Sequence, residues 1–119
     1  MGQPVAFFEI ISPDAERALK FYTEMFGWAA QADPNMGGYA LVDTNAGEGA
    51  IGGGIGGTEA PGEAPTVKIY MRVDDLDAAL DRAERLGGKR LVPPTDLPEG
   101  YGRFAIFTDP DGNQVGLWA

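Results

Sequence analysis

The feature that most constrains this chain is a duplication: one strand, one helix and several short strands follow each other twice. In the first half Val5 to Ile11 is an apolar, β-prone run. Ser12-Pro13-Asp14 then supplies an N-cap, a first-turn proline and an acid suited to the helix dipole. Ala15, Ala18, Leu19, Tyr22, Met25 and Phe26 recur at helical spacing, and Gly27 offers a left-handed stop. In the second half Val67 to Val73 is the strand and Asp74 the cap. Leu76, Ala79, Leu80, Ala83 and Leu86 form the stripe ahead of Gly87-Gly88. Gly38 to Asp43 matches Arg103 to Thr108, Ala50 to Gly52 matches Gln114 to Gly116, and shorter strands are expected at Ala29 to Gln31 and Lys89 to Val92. Residues 58–65 combine turn formers and acids without periodicity, as an exposed linker would.

The expected architecture is therefore α+β, with two tandem βαβββ modules (4–57 and 66–119) forming a pseudo-symmetric, partly open curved sheet with a concave cavity. Neither module would cover its apolar face alone, so a single domain is expected. A length of 119 residues with 44% hydrophobic content suits one core.

Composition narrows the chemistry. No cysteine is present, which removes disulfides, thiolate nucleophiles and Cys-ligated zinc. Histidine is absent too, which removes the commonest transition-metal ligand and makes serine-histidine triads impossible. A formal net charge of -9 argues against nucleic acid as partner, and is read first as a solubility device. No apolar run approaches the roughly 18 residues of a membrane span, and Met1-Gly2-Gln3-Pro4 lacks the regions of a signal peptide. A cytoplasmic protein without membrane contact is expected.

Strand alternation separates the face packed by the helix from the opposite one. Ala6, Phe8 and Ile10 are assigned to the helix side, as are Val67, Ile69, Met71 and Val73, and Val115 with Leu117. Phe7, Glu9, Lys68, Tyr70, Arg72 and Trp118 then share the concave side, where Glu9 is expected to pair with Lys68 or Arg72 because unpaired buried charge is costly. Pro98 to Gly102 reads either as a loop covering the cavity, with Tyr101 and Arg103 reaching inward, or as a plain surface loop.

Phe8-Glu9-Ile10, then Glu16-Arg17-Ala18 running into Phe21-Tyr22 and Phe26-Gly27-Trp28, resembles the opening of vicinal oxygen chelate proteins, the glyoxalase and bleomycin-resistance superfamily. Val73-Asp74-Asp75-Leu76-Asp77-Ala78-Ala79 repeats it, and Thr108-Asp109-Pro110-Asp111-Gly112-Asn113 resembles the family's turn before the last strand. The resemblance implies that metal-dependent members carry ligands where this chain has Phe7, Gly52, Lys68 and Gly116. Phenylalanine and glycine side chains offer no donor, and a lysine ammonium repels a divalent cation, so no metal and no cofactor are expected. A metal-free member is the reading, binding a small organic molecule at Phe7, Glu9, Lys68, Tyr70, Arg72, Tyr101, Arg103 and Trp118, and forming a homodimer as bleomycin-resistance proteins do. Whether it is an enzyme stays open. A metal-independent isomerase, lyase or hydrolase with Glu9 as base and an accessory dimerisation domain are the alternatives.

Three other signals carry less. Gly47 to Gly52 has dinucleotide-fingerprint spacing but opens no helix, and Asp109 to Asn113 lacks the glutamate of a calcium loop. Trp28 and Trp118 could stack on a planar ligand, but aromatic residues on strands and helix ends more often serve packing.

Overall fold

The computed structural model of the protein describes residues 2–119. Its elements run β1 (Val5–Ser12), α1 (Ala15–Phe26), β2 (Ala29–Ala32), β3 (Ala40–Asp43), β4 (Gly52–Gly57), β5 (Thr66–Arg72), α2 (Leu76–Arg85), β6 (Lys89–Asp96), β7 (Arg103–Thr108) and β8 (Gln114–Trp118), with single 3-10 turns at Pro34–Met36 and Pro98–Gly100. The class is α+β and the duplication is real. The chain forms two compact units, Phe7–Val67 and Lys68–Ala119, the latter taking in the segment that leads into β1 up to Ala6. Among the described residues no helix is long and apolar enough to cross a membrane.

Both units use one topology. In the first, the strand order is β2-β3-β4-β1, with β1 parallel to β4 and the other pairs antiparallel. In the second it is β6-β7-β8-β5, with β5 parallel to β8. A strand returning parallel to its neighbour needs a long connection, which the helix and hairpin strands supply in each module.

Each helix is capped later than the sequence suggests, by two residues in α1 and by one in α2. Asp14, not Ser12, accepts from the Arg17 amide at 3.1 Å, because the Ser12 hydroxyl is already used by the Asp14 amide in a preceding turn. Asp75, not Asp74, accepts from the Ala78 amide at 3.0 Å. Gly27 closes α1 in the left-handed conformation, as expected.

The first core is Ile10, Val42 and Ile55, packed by Phe8, Ala18, Leu19, Tyr22, Trp28 and Ala30. Trp28 lies in an aromatic cluster, 5.1 Å from Phe8 and 5.8 Å from Tyr22 between ring centres. The second core is Leu76, Leu80, Ala105 and Leu117, packed by Met71, Val73, Ala79 and Phe107. The helical stripes are narrower than the sequence suggests. Met25, Phe26 and Leu86 are exposed, and so are Val67 (71%) and Ile69 (44%) on the helix side of β5. α2 packs over β6 and β7, so only the Met71 and Val73 end of β5 lies against its core.

The turn between β7 and β8 is organised by Asp109, whose carboxylate accepts from the amides of Asp111 and Asn113 and from the Asn113 side chain, each at 2.9 Å. The Asn113 hydrogen bonds hold its pKa below the ordinary carboxylate value. A depressed folded-state pKa contributes stability above the unfolded value, about 4, that is lost as pH falls through the folded one. Asp109→Ala is therefore expected to cost stability at pH 7 and progressively less in acid, read from urea unfolding at both pH values. A penalty independent of pH would show that the carboxylate's charge is irrelevant.

Candidate functional site

In the first unit, alternation along β1 sends Phe8 and Ile10 into the core and turns Phe7, Glu9 and Ile11 to the face away from α1. Here β4 pairs with β1 so that Phe7 lies beside Gly52, Glu9 beside Gly54 and Ile11 beside Gly56. The Tyr39 ring lies flat on Gly54 and Gly56, where any side chain would overlap it. From there the Tyr39 hydroxyl donates to Glu9 Oε2 at 2.7 Å. A neutral phenol donating to a carboxylate is a charge-assisted bond, so it fixes the carboxylate's orientation as well as solvating it.

Tyr39 is absent from the expected site because it immediately precedes β3, and its partner is thirty residues away in sequence. A signal did exist. Glycines alternating at 52, 54 and 56 mark one strand face stripped of side chains, and such a face lets a bulky group approach the backbone.

In the second unit Lys68, Tyr70 and Arg72 alternate on the face of β5 away from α2, as expected. Lys68 and Tyr70 are each only 6% exposed. The Tyr70 ring covers Gly116, its register partner on β8, repeating the aromatic-on-glycine packing of the first unit. Among the described residues no buried side-chain nitrogen or oxygen lacks a hydrogen-bond partner, so the Lys68 ammonium sits in a satisfied polar environment rather than bare in the core.

Arg72 is exposed and lies over the Trp118 indole, its guanidinium carbon 4.5 Å from the ring centre. The Trp118 indole N–H in turn donates to the Tyr101 carbonyl at 2.8 Å. Tyr101 is exposed at the end of the Pro98–Gly100 turn, and its backbone rather than its ring makes this bond. Arg103 falls elsewhere. It shares the helix side of β7 with core residues Ala105 and Phe107, and its Nε donates to Asp96 at 2.9 Å. The structure thus groups Phe7, Glu9 and Tyr39 in one unit and Lys68, Tyr70, Arg72 and Trp118 in the other, and sends Arg103 to the opposite side.

Among the described residues no three Asp or Glu side chains converge as a metal-binding group would require. The positions that resemble the family's ligand sites are instead a phenylalanine beside a glycine on β1 and β4, and a lysine and a tyrosine-covered glycine on β5 and β8.

The model of the Glyoxalase/Bleomycin resistance protein/Dioxygenase superfamily matches residues 5–117. The chain is 32% identical over 133 residues to the anthracycline biosynthesis protein DnrV of Streptomyces peucetius, covering 98% of this chain and 46% of that protein. It is 36% identical over 114 residues to the putative glyoxylase CFP32 of Mycobacterium bovis, covering 92% and 43%. It therefore spans less than half the length of either relative. A solved glyoxalase/bleomycin resistance protein/dioxygenase superfamily member from Vibrio splendidus superposes with a TM-score of 0.61 at 14% identity, over 98% of this chain and 97% of that one, a likeness of fold alone.

Proposed function

Because the chain belongs to the glyoxalase, bleomycin resistance protein and dioxygenase superfamily, we propose that it is a metal-independent member that binds a small organic molecule on the sheet faces turned away from the helices. The observation that carries this reading is the chemistry at the family's ligand positions. Phe7 and Gly52 pair across β1 and β4, and Tyr70 covers Gly116, so the phenylalanine and the two glycines put no side-chain donor atom at those positions. Lys68 holds a cation where a metal-dependent relative would place a ligand, and two like charges do not share a site. Aromatic rings flanked by a few fixed polar groups are what a site for an organic molecule needs.

Thermal unfolding tests both halves of the proposal. Nickel, zinc, manganese and magnesium ions are each expected to leave the unfolding temperature unchanged, whereas a specific organic ligand at a hundred times its dissociation constant should add about 2.7 kcal/mol. Saturable stabilisation by one of these ions would remove the metal-independent reading. A null result across a broad library of metabolites and antibiotics would remove the binding one.

A second reading is favoured by the hydrogen bond from Tyr39 to Glu9: a carboxylate held in one orientation can serve as a general base in a metal-independent isomerase, lyase or hydrolase. Turnover of an identified substrate that survives Glu9→Gln would eliminate it. Homodimerisation belongs to the proposal as well, supported by the apolar stripe that Phe21, Met25 and Phe26 expose on α1.

A further inference from the structure

The geometry points to Arg72 as an anion-recognition group: its guanidinium, laid on the Trp118 indole, binds the carboxylate of an organic acid. This names the ligand class for the binding reading above and rests on it.

Three observations carry the assignment. The first is the state of the arginines. The chain has 18 acidic and 9 basic residues, so a guanidinium has carboxylates in excess to choose from. Arg90 takes Asp81 and Glu84, and Arg103 takes Asp96. Arg72, like Arg17, Arg82 and Arg85, enters no ion pair with the described residues, and what sets it apart from those three is its place over an aromatic ring. A guanidinium held over an indole by cation–π attraction spends none of its N–H donors on that contact, and a carboxylate accepts two such donors side by side.

The second is that the platform is fixed from beneath. Trp118 is held by its indole bond to the Tyr101 carbonyl, and the Arg72 backbone amide donates to the Pro4 carbonyl at 3.0 Å. Gly102 lies against the Ala119 carbonyl where a side chain would overlap it, and Arg103 and Ala119 exchange backbone hydrogen bonds at 2.9 and 3.0 Å. The loop carrying Tyr101 is thus tied to the end of β8. A preorganised guanidinium loses less entropy on binding than one on a mobile stem.

The third is the neighbouring surface. Tyr101, 41% exposed, is carried by the loop whose carbonyl holds the Trp118 indole N–H. An apolar or planar body beside an in-plane cation suits an organic acid better than an inorganic anion. In a chain of net charge -9, a site for an anion must be built locally, because the overall field repels it.

The test follows the Arg72 Nε–H and Trp118 Nε1–H resonances by NMR during titration with sodium benzoate, inorganic phosphate and sodium chloride at matched ionic strength. Benzoate is expected to move both resonances together and to saturate. Arg72→Gln, at an exposed position and with an otherwise native amide spectrum, is expected to weaken binding by about tenfold or more, since hydrogen bonds to charged groups are the strong ones. Arg72→Lys should recover only part of that loss because it lacks the planar fork. Linear shifts shared with chloride, or an unchanged benzoate affinity in Arg72→Gln, overturn the proposal. Phosphate binding tighter than benzoate overturns the organic-acid assignment. If the ligand library yields only neutral molecules that bind the parent and Arg72→Gln equally, the carboxylate is excluded while small-molecule binding stands. A library with no ligand, benzoate included, removes both.

Discussion

Leu80→Ala is expected to lower the stability of the protein by about 2 to 5 kcal/mol, the range for truncating a buried leucine. Leu80 is 0% exposed and sits at the centre of the second core, between Leu76 on its own helix and Ala105 and Leu117 on the sheet. The penalty has two parts, the lost transfer energy of the removed atoms and the cavity left behind. Ala105 is too small to fill it, and Leu117 is held in register by its pairing to both β5 and β7. The unfolding midpoint in urea should fall with little change of slope. A loss below about 1 kcal/mol would mean that α2 re-seats on the sheet, and that the core tolerates the cavity by moving rather than by leaving it open.

The second large effect is expected at a residue without a side chain. Gly54→Ala places a methyl group inside the Tyr39 phenol, which rests on β4 and is tethered at its far end to Glu9. The backbone of Gly54 has no positive φ, so the penalty is steric and not conformational. Forcing such a ring off its seat costs about 1 to 3 kcal/mol by overpacking, and the Glu9 hydrogen bond should be lost with it. Tyr39→Phe separates the two contributions, because it keeps the ring on the glycines and removes only the donor. Its expected cost is about 0.5 to 3 kcal/mol. The decisive measurement is the double-mutant cycle of Gly54→Ala with Tyr39→Ala. Once the ring is gone the methyl group has room, so the two costs should not add. Strict additivity would show that the ring does not occupy the seat described here.

Much of the architecture was legible because it depends on local chemistry. The helices announce themselves by apolar residues every three to four positions, by acids at their starts and by Gly27 at the end of α1. The repeat of that pattern was enough to infer two βαβββ modules. Cap positions slipped by one or two residues because neighbouring candidates compete: Ser12 and Asp14 both can cap, and which does so depends on the turn that precedes the helix.

Strands were legible where side chains alternate and were missed where they do not. β4 reads Gly-Gly-Gly-Ile-Gly-Gly, a composition with poor intrinsic strand preference, and the expected strand ended at Gly52 where the real one begins. It is a strand because β1 and β3 supply ladder partners on both sides. It is glycine-rich because Phe8 lies against Gly53 on one face and Tyr39 against Gly54 and Gly56 on the other. β6 runs on through Pro93 and Pro94, past the expected end at Val92. As the outermost strand of its unit's sheet it needs ladder bonds on one side only, and its register shifts accommodate the prolines.

By itself, the sequence determined the fold class, the duplicated module, the exclusion of cysteine and histidine chemistry, and the facing of Phe8, Ile10, Tyr70 and Leu117. Each of these follows from composition or from the period of one segment. Tertiary structure alone decided which apolar residues stay uncovered, since Val67 and Ile69 have the alternation of a packed strand but α2 covers only its far end. It alone decided which partners the polar groups take: Tyr39 for Glu9, Trp118 for Arg72 and Asp96 for Arg103. Such pairings are contacts between segments far apart in the chain or brought side by side by strand register, and local periodicity carries no information about either.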